Sequence, residues 1–318
     1  MRIGVDLGGT KIEAAVLDEA GEVLIRRRRP TPVANYAETL RAVVDLVTEI
    51  ESEIGERASV GVATPGALSP RSGRIKNANS TQLIGERLDA DLGVALDREV
   101  RLANDANCFA LSEAVDGAAR GARVVFGVIL GTGVGGGIVI DGRAITGLQA
   151  IAGEWGHNPL PWPQSKELPG PECYCGRRGC IECFLSGPGM ARDYLRDGEA
   201  PLTAEDIVAR ADAGEARASA CMARYSHRLA RGLAQVINIL DPDVIVLGGG
   251  LSRIPHLYDS VPRQWGEFVF SDQVDTPLRP PVHGDSSGVR GAAWLWGGQH
   301  CSQGNSWKRQ PPKLPRWW

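Results

Sequence analysis

The sequence is poor in aromatic residues, with five Tyr and five Phe in 318 residues, and it holds only three Met and five His. It also lacks a charge excess of either sign: 35 basic residues face 38 acidic ones, a net charge of −3. A protein built to bind nucleic acid or an anionic membrane surface normally carries a strong basic surplus, so neither partner is expected. Long apolar runs are missing too. The longest uncharged stretch is Val124 to Ile140, and six of its seventeen residues are glycine. A membrane-spanning helix needs roughly 20 largely apolar residues, and glycines at this density oppose a helix. The first residues, Met1-Arg2-Ile3-Gly4-Val5-Asp6, put an acid where a signal peptide needs its apolar core. A cytoplasmic protein is the expectation. No Walker A loop occurs anywhere.

Glycine, by contrast, is abundant: 40 of 318 residues, nearly twice the ordinary share of about 7%. The glycines gather in short loops after apolar runs. At 318 residues, two domains of roughly 100–200 residues each fit. Arg2 to Leu7, Ile12 to Leu17 and Val23 to Arg28 read as an antiparallel meander. Leu40, Val43, Val44, Val47 and Ile50 recur at helical spacing within Tyr36 to Ile54. Ser59 to Ala63 is a strand. The second half repeats the plan. Val124 to Leu130 is a strand, Gly131 to Gly137 a turn, Gly137 to Ile140 the returning strand, and Asp141-Gly142 a type I′ hairpin signal. Ala216 to Leu240 is a helix, and Val244 to Leu247 a buried strand closed by Gly248-Gly249-Gly250. Two related α/β lobes around a cleft follow. The composition from 297 onward differs, with Lys, Arg, Pro and Trp and no acid, and reads as a disordered tail.

Two motifs mislead. Gly131-Thr132-Gly133-Val134-Gly135-Gly136 has the spacing of a dinucleotide fingerprint, but it leads into a strand where that fingerprint opens a helix. Gly284-Asp285-Ser286-Ser287-Gly288 matches a hydrolase nucleophile elbow, yet no acid follows it to complete a triad. Ser286 or Ser287 is better placed to cap a helix from Val289 to Trp296.

Five constellations remain. In Asp6-Leu7-Gly8-Gly9-Thr10-Lys11 a strand delivers a carboxylate, and the glycines let backbone N–H groups approach an anion. Thr10 adds a hydroxyl and Lys11 a charge; Asp6 could hold Mg²⁺ through water. A plain hairpin turn is the alternative. Thr132 and Gly133 repeat the design, and the two turns together would form a phosphate clamp. Gly249 and Gly250 offer bare backbone to a base or ribose. Asn104-Asp105-Ala106-Asn107 follows a strand; Asp105 is placed to act as a general base, or the pair simply caps a helix. Finally, His157 with Cys173, Cys175 and Cys180 supplies the Cys₃His set of structural zinc; unmetallated thiols are the alternative. Glu154 and Glu182 flank this knuckle and suit sugar hydroxyls.

Taken together, Asp6 to Lys11, Asn104 to Asn107, Glu154-x-x-His157, the Cys-x-Cys-Gly-x-x-Gly-Cys-x-Glu run from Cys173 to Glu182, and Leu247 to Gly250 resemble the ROK family of sugar kinases and repressors, over roughly residues 1–296. Lys76 to Thr81, Arg101 to Cys108, Ser112 to Ala119, Gly153 to Pro161, Asn238 to Gly250 and His283 to Trp296 are most similar to its bacterial fructokinase branch. The resemblance implies a two-lobed actin-like ATPase (ribonuclease H-like) α/β fold with a zinc knuckle over 157–183. The lobes would be 1–117, joined by a returning helix over 286–296, and 118–285, with 297–318 outside the pattern. It implies Asp105 as catalytic base. Asn79, Asn104, Asp105, Glu154, His157 and Glu182 would bind the sugar. Asp6, Gly8, Gly9, Thr10, Lys11, Thr132, Gly133, Gly249 and Gly250 would face Mg-ATP. The repressors of this family carry an N-terminal DNA-binding segment, for which the strand at Arg2 leaves no room, so a kinase is expected. The implied partners are a hexose, D-fructose first, ATP, and a second copy of the chain in a homodimer. A kinase for mannose, glucose or N-acetylmannosamine is the alternative within the enzyme class, and a sugar-responsive binding protein without turnover is the alternative from another class.

Overall fold

The computed structural model describes residues 1–32, 35–195 and 202–297; of the tail expected over 297–318, all but Gly297 lies outside the described residues. The first lobe opens with the meander β1 (Arg2–Leu7), β2 (Lys11–Leu17) and β3 (Val23–Pro30). Helix α1 (Tyr36–Ile54) buries Val43, Leu46, Val47 and Ile50. Asn35 caps its first turn by accepting from the Glu38 N–H, and Gly55 ends it at φ 73°, a left-handed conformation cheap only for glycine. Next come β4 (Ser59–Thr64), the small hairpin β5 (Ala67–Leu68) and β6 (Ile75–Lys76), α2 (Leu88–Leu96), β7 (Val100–Asn104) and α3 (Asp105–Val115). The sheet order is β3-β2-β1-β4-β7, antiparallel on the meander side and parallel from β1 through β4 to β7.

The second lobe repeats this order of events. Strands β8 (Val124–Leu130), β9 (Val134–Ile140) and β10 (Arg143–Ala144) form its meander. Asp141 and Gly142 both sit at positive φ, 50° and 70°, as a type I′ turn demands. Helices α4 (Glu182–Leu185), α5 (Gly187–Leu195), α6 (Ala204–Asp212) and α7 (Ala216–Leu240) precede β11 (Val244–Gly248). Then α8 (Leu257–Ser260), α9 (Pro262–Trp265), β12 (Leu278–Arg279) and α10 (Ser287–Trp294) end the described chain. The second sheet has the order β10-β9-β8-β11-β12. One expectation fails locally: the turn after β8 is over by Gly133, and Gly135 to Gly137 are strand. The cause is tertiary, since a Cβ on Gly137 would stand 2.4 Å from the Ala106 carbonyl of α3. This is the actin-like ATPase architecture.

Each lobe has its own apolar core, one between the first sheet and α1 and α2, one between the second sheet and α7. A third lies between the sheets, where Phe109, Ala110 and Ala114 of α3 meet Val289, Ala293 and Trp294 of α10. Helix α10 returns to the first sheet, with Val289 and Ala292 carbonyls pressed on Gly4 and Gly61. It touches α3 backbone to backbone: a Cβ on Gly291 would lie 1.7 Å from the Cys108 carbonyl oxygen. The expected serine cap is absent. Ser286 makes no capping hydrogen bond, and the Ser287 hydroxyl instead donates to Glu113 Oε1 at 2.8 Å. Fully buried Glu113 also accepts the Ala118 and Val282 N–H groups, at 2.9 and 3.1 Å. One turn on, Asp116 accepts from His283 Nε2 at 2.9 Å, Arg290 at 2.5 Å and Trp294 Nε1 at 2.9 Å. Two acids at the end of α3 thus fasten it to α10.

Gly291→Ala should force these helices apart. Urea unfolding should show a loss of about 1–3 kcal/mol or more, whereas Gly266→Ala, where an added Cβ meets nothing within 4 Å, should leave the midpoint within error.

Candidate active site

The first glycine turn follows β1. The Gly8 N–H donates to the Lys11 carbonyl at 3.0 Å, which bends the chain tightly beside Asp6. Burial pushes the Asp6 carboxyl up to about 6; the negative charges of Asp105 and Glu13 add to this, and Lys11 only partly offsets it. Asp6, Gly8, Gly9, Asn79 and Asp105 line a cavity of about 240 Å³. Thr10 and Lys11 are not on its wall; Lys11 Nζ instead lies 3.8 Å from Glu13 Oε2.

Asp105 and Asn79 also line a second cavity of about 290 Å³. Its wall takes in Asn104, Glu154, His157 and Glu182 from the expected sugar side, together with Thr132 and Gly133. Strand β7 ends at Asn104, whose side-chain oxygen accepts the Asn107 N–H at 2.8 Å. Capping and binding are therefore compatible here, because the cap occupies the carbonyl end and leaves the amide NH₂ as a donor. Asp105 Oδ1 accepts the Ala106 N–H at 2.8 Å, and burial holds its carboxyl above the usual range. Glu154 is likewise raised, by burial first, with Asp105 and Glu182 adding and His157 opposing. Glu182 Oε2 accepts the Val134 N–H at 3.0 Å, so this carboxylate ties the knuckle to the second glycine turn.

Other wall residues escaped the sequence reading. Pro65 and Gly66 close the cavity on the first-lobe side, with Asn77 at φ 56°. Asparagine tolerates that left-handed conformation, but nothing in the local pattern announces it. Tyr174 lines the cavity as well; lying between two cysteines, it gave no signal of its own.

Behind the cavity the knuckle brings His157, Cys173, Cys175 and Cys180 together, all four donor atoms lying within 4.8 Å of one another. Cys173 Sγ is 3.5 Å from His157 Nδ1, and Cys175 Sγ is 3.6 Å from Cys180 Sγ. A tetrahedral ion with bonds of about 2.0–2.3 Å would set such donors about 3.3–3.8 Å apart. The Arg177 backbone N–H holds the exposed Cys175 thiol below its ordinary value, while burial pushes Cys180 up to about 12. Three crowded thiols cannot all ionise without a cation among them, so the set suits zinc. Cys183 is buried beside them.

The largest of these cavities, about 470 Å³, lies beyond the second turn. Gly131 and Thr132 line both it and the 290 Å³ cavity, so the two meet at this turn. Gly250 and Thr203 are on its wall, with Glu205 at the start of α6. Gly249 is not. It faces a separate cavity with Pro280, and only glycine suits the position, both for its φ of 79° and because a Cβ would stand 2.4 Å from the Leu130 carbonyl oxygen.

The family model for the ROK family matches residues 2–299. The chain belongs to the ROK family. The N-acetyl-D-glucosamine kinase of Escherichia coli K12 is 42% identical over 303 residues, 93% of this chain and 99% of that protein. Among solved structures, a ROK hexokinase from Thermus thermophilus aligns with a TM-score of 0.82 at 33% identity, covering 92% of this chain and 96% of that one. A ROK glucokinase from Streptomyces griseus, solved with glucose and AMPPNP, aligns with a TM-score of 0.74 at 27% identity, covering 92% and 98%.

The raised Asp6 value carries a sign. The folded protein prefers the protonated carboxyl, so stability falls as pH rises from the ordinary value of 3.8 through about 6, then levels. Asp6→Asn removes that penalty. In the absence of divalent cation and nucleotide, the variant should match the wild type near pH 4 and exceed it at pH 7.5 by up to roughly 3 kcal/mol. A stability difference between the two that does not change over this range in thermal or urea unfolding would contradict the assignment.

Proposed function

We propose that this protein is an ATP-dependent hexose 6-kinase with Asp105 as general base. The observation that carries the reading is the position of Asp105. It is a carboxylate open to solvent on the wall shared by a cavity rich in hydroxyl partners and a cavity lined by the first glycine turn. In this mechanism Asn79, Asn104, Glu154, His157 and Glu182 orient the hexose. Asp105 accepts the proton of its 6-hydroxyl as that oxygen bonds to the γ-phosphorus, the bridging P–O bond breaks, and ADP leaves. Backbone N–H groups of Gly8, Gly9 and Gly133 meet the phosphates, with Thr132 beside them. Mg²⁺ arriving with ATP would neutralise phosphate charge, and Asp6 is the residue placed to hold it. Most of the acceleration is positioning and charge neutralisation. Residues 1–117 with 286–296, and residues 118–285, would close as two lobes and exclude water.

For the substrate we take N-acetyl-D-glucosamine first, because curated N-acetyl-D-glucosamine kinases are 42% identical over 93% of this chain. D-fructose is the second reading; it rests on the likeness of Lys76 to Thr81 and Arg101 to Cys108 to bacterial fructokinases. The knuckle would hold a structural zinc ion. The family resemblance also points to a cytoplasmic homodimer, which sedimentation velocity tests; no described helix is long and apolar enough to cross a membrane.

A coupled ADP-release assay with Mg-ATP and N-acetyl-D-glucosamine, D-fructose, D-mannose, D-glucose and N-acetyl-D-mannosamine tests this reading. Asp105→Asn should lower kcat roughly 10²–10⁴-fold with the fold intact; near-normal turnover rules Asp105 out as the base. A sugar-dependent thermal shift without any turnover would favour a non-catalytic sensor instead. Cys175→Ser should lose the metal by elemental analysis and lower Tm, since structural zinc contributes folding energy; wild-type protein without stoichiometric zinc would refute the metal assignment.

A further inference from the structure

Tyr174 is the one sugar-cavity residue carried by the knuckle loop between two metal-ligating cysteines. Its hydroxyl lies 2.9 Å from His157 Nε2, and the two rings meet edge to face at 5.0 Å and 86°. Glu154 and Glu182 line the same cavity. The phenol therefore shares that cavity with three residues expected to bind a hexose, and its hydroxyl touches one of them, His157.

His157 has two ring nitrogens with separate duties. Nδ1 faces Cys173 Sγ at 3.5 Å and is the nitrogen on the metal side. A metal on Nδ1 leaves Nε2 protonated, a donor that can serve one acceptor along its N–H direction. With Nε2 protonated in this way, the acceptor 2.9 Å away is the Tyr174 oxygen. A hexose hydroxyl that uses His157 must take its place.

The side chain is built to leave. Tyr174 is 77% exposed, so rotating it outward gives up little packing. Cys173 and Cys175, held on either side as metal ligands, would keep its backbone still, so the movement is confined to the side-chain torsions. We propose that Tyr174 is a substrate-exchanged residue of the sugar cavity: its hydroxyl satisfies His157 Nε2 until a hexose hydroxyl replaces it, and this competition sets hexose affinity. The proposal rests on the kinase reading above for the identity of the ligand.

Titration calorimetry of N-acetyl-D-glucosamine, D-glucose, D-mannose and D-fructose into the wild type, Tyr174→Phe and Tyr174→Ala tests it. Removing one competing hydrogen bond should tighten binding of the preferred hexose by about three- to tenfold in both variants. KM for that hexose should fall alongside, with KM for Mg-ATP and Tm unchanged. A purely structural tyrosine would instead move Tm and both KM values together. Unchanged or weaker hexose binding by folded Tyr174→Phe overturns the exchange; if that variant does not fold, Tyr174→Ala decides in the same way. Failure of the wild type to bind or turn over any hexose overturns the kinase reading, and the exchange with it.

Discussion

The backbone contact between α10 and α3 is the constraint on which the site depends. Gly291 lets the two helices meet at the Cys108 carbonyl, and Gly4 and Gly61 let α10 lie directly on β1 and β4. Helix α3 is thereby held between the two sheets, with Glu113 and Asp116 locking its far end. Its near end is Asp105. A carboxylate proposed to meet a hydroxyl to within a few tenths of an ångström would need a rigid mount, and this helix is clamped at several points along its length. The fold disfavours the charged form of both Asp6 and Asp105, and packing elsewhere offsets that cost, as is common at sites built for chemistry.

The other side of the cavity is rigid for a different reason. It has little regular structure: most of the segment from Ile151 to Ile181 is turn and loop. Its order comes from cross-links. Buried Arg228 and Arg231 of α7 bind Glu167, each at 2.8 Å, and Arg228 also reaches Asp193 at 3.0 Å. The Cys₃His cluster would add a metal to this frame, and Glu182 carries the resulting order to the Val134 N–H. Positional accuracy that strands supply on the first-lobe side is supplied here by ions and side chains.

How much was legible in the sequence differed from element to element. Helices α1 and α7 and strand β8 stand where period and composition put them, because each helix buries one face in one core and β8 buries a face in each of two. The glycine strand Gly135 to Gly137 was misread as turn, since its reason for lacking side chains is the close approach of α3, which no local pattern records. Ser287 was expected to cap a helix, but Glu113, more than 170 residues earlier in the chain, claims its hydroxyl. Asn104 posed a choice between cap and ligand that the geometry dissolves, the two ends of one amide serving different partners. Lys11 and Gly249 were placed by neighbourhood in the chain; Lys11 stands beside Glu13, and Gly249 lines a separate cavity with Pro280. Tyr174 carried no signal because its hydroxyl partner is His157, seventeen residues before it.

Gly131 and Thr132 form a wall common to the 290 and 470 Å³ cavities. A single peptide turn thus has two tenants. Whatever a ligand in one cavity does to order that turn is inherited by a ligand in the other, and thermodynamic linkage makes the debt mutual. Two occupants that prefer the same arrangement of the turn will each raise the other's affinity by the same factor, whichever arrives first. The order of binding is then set by their concentrations, and synergy between them needs no domain movement at all.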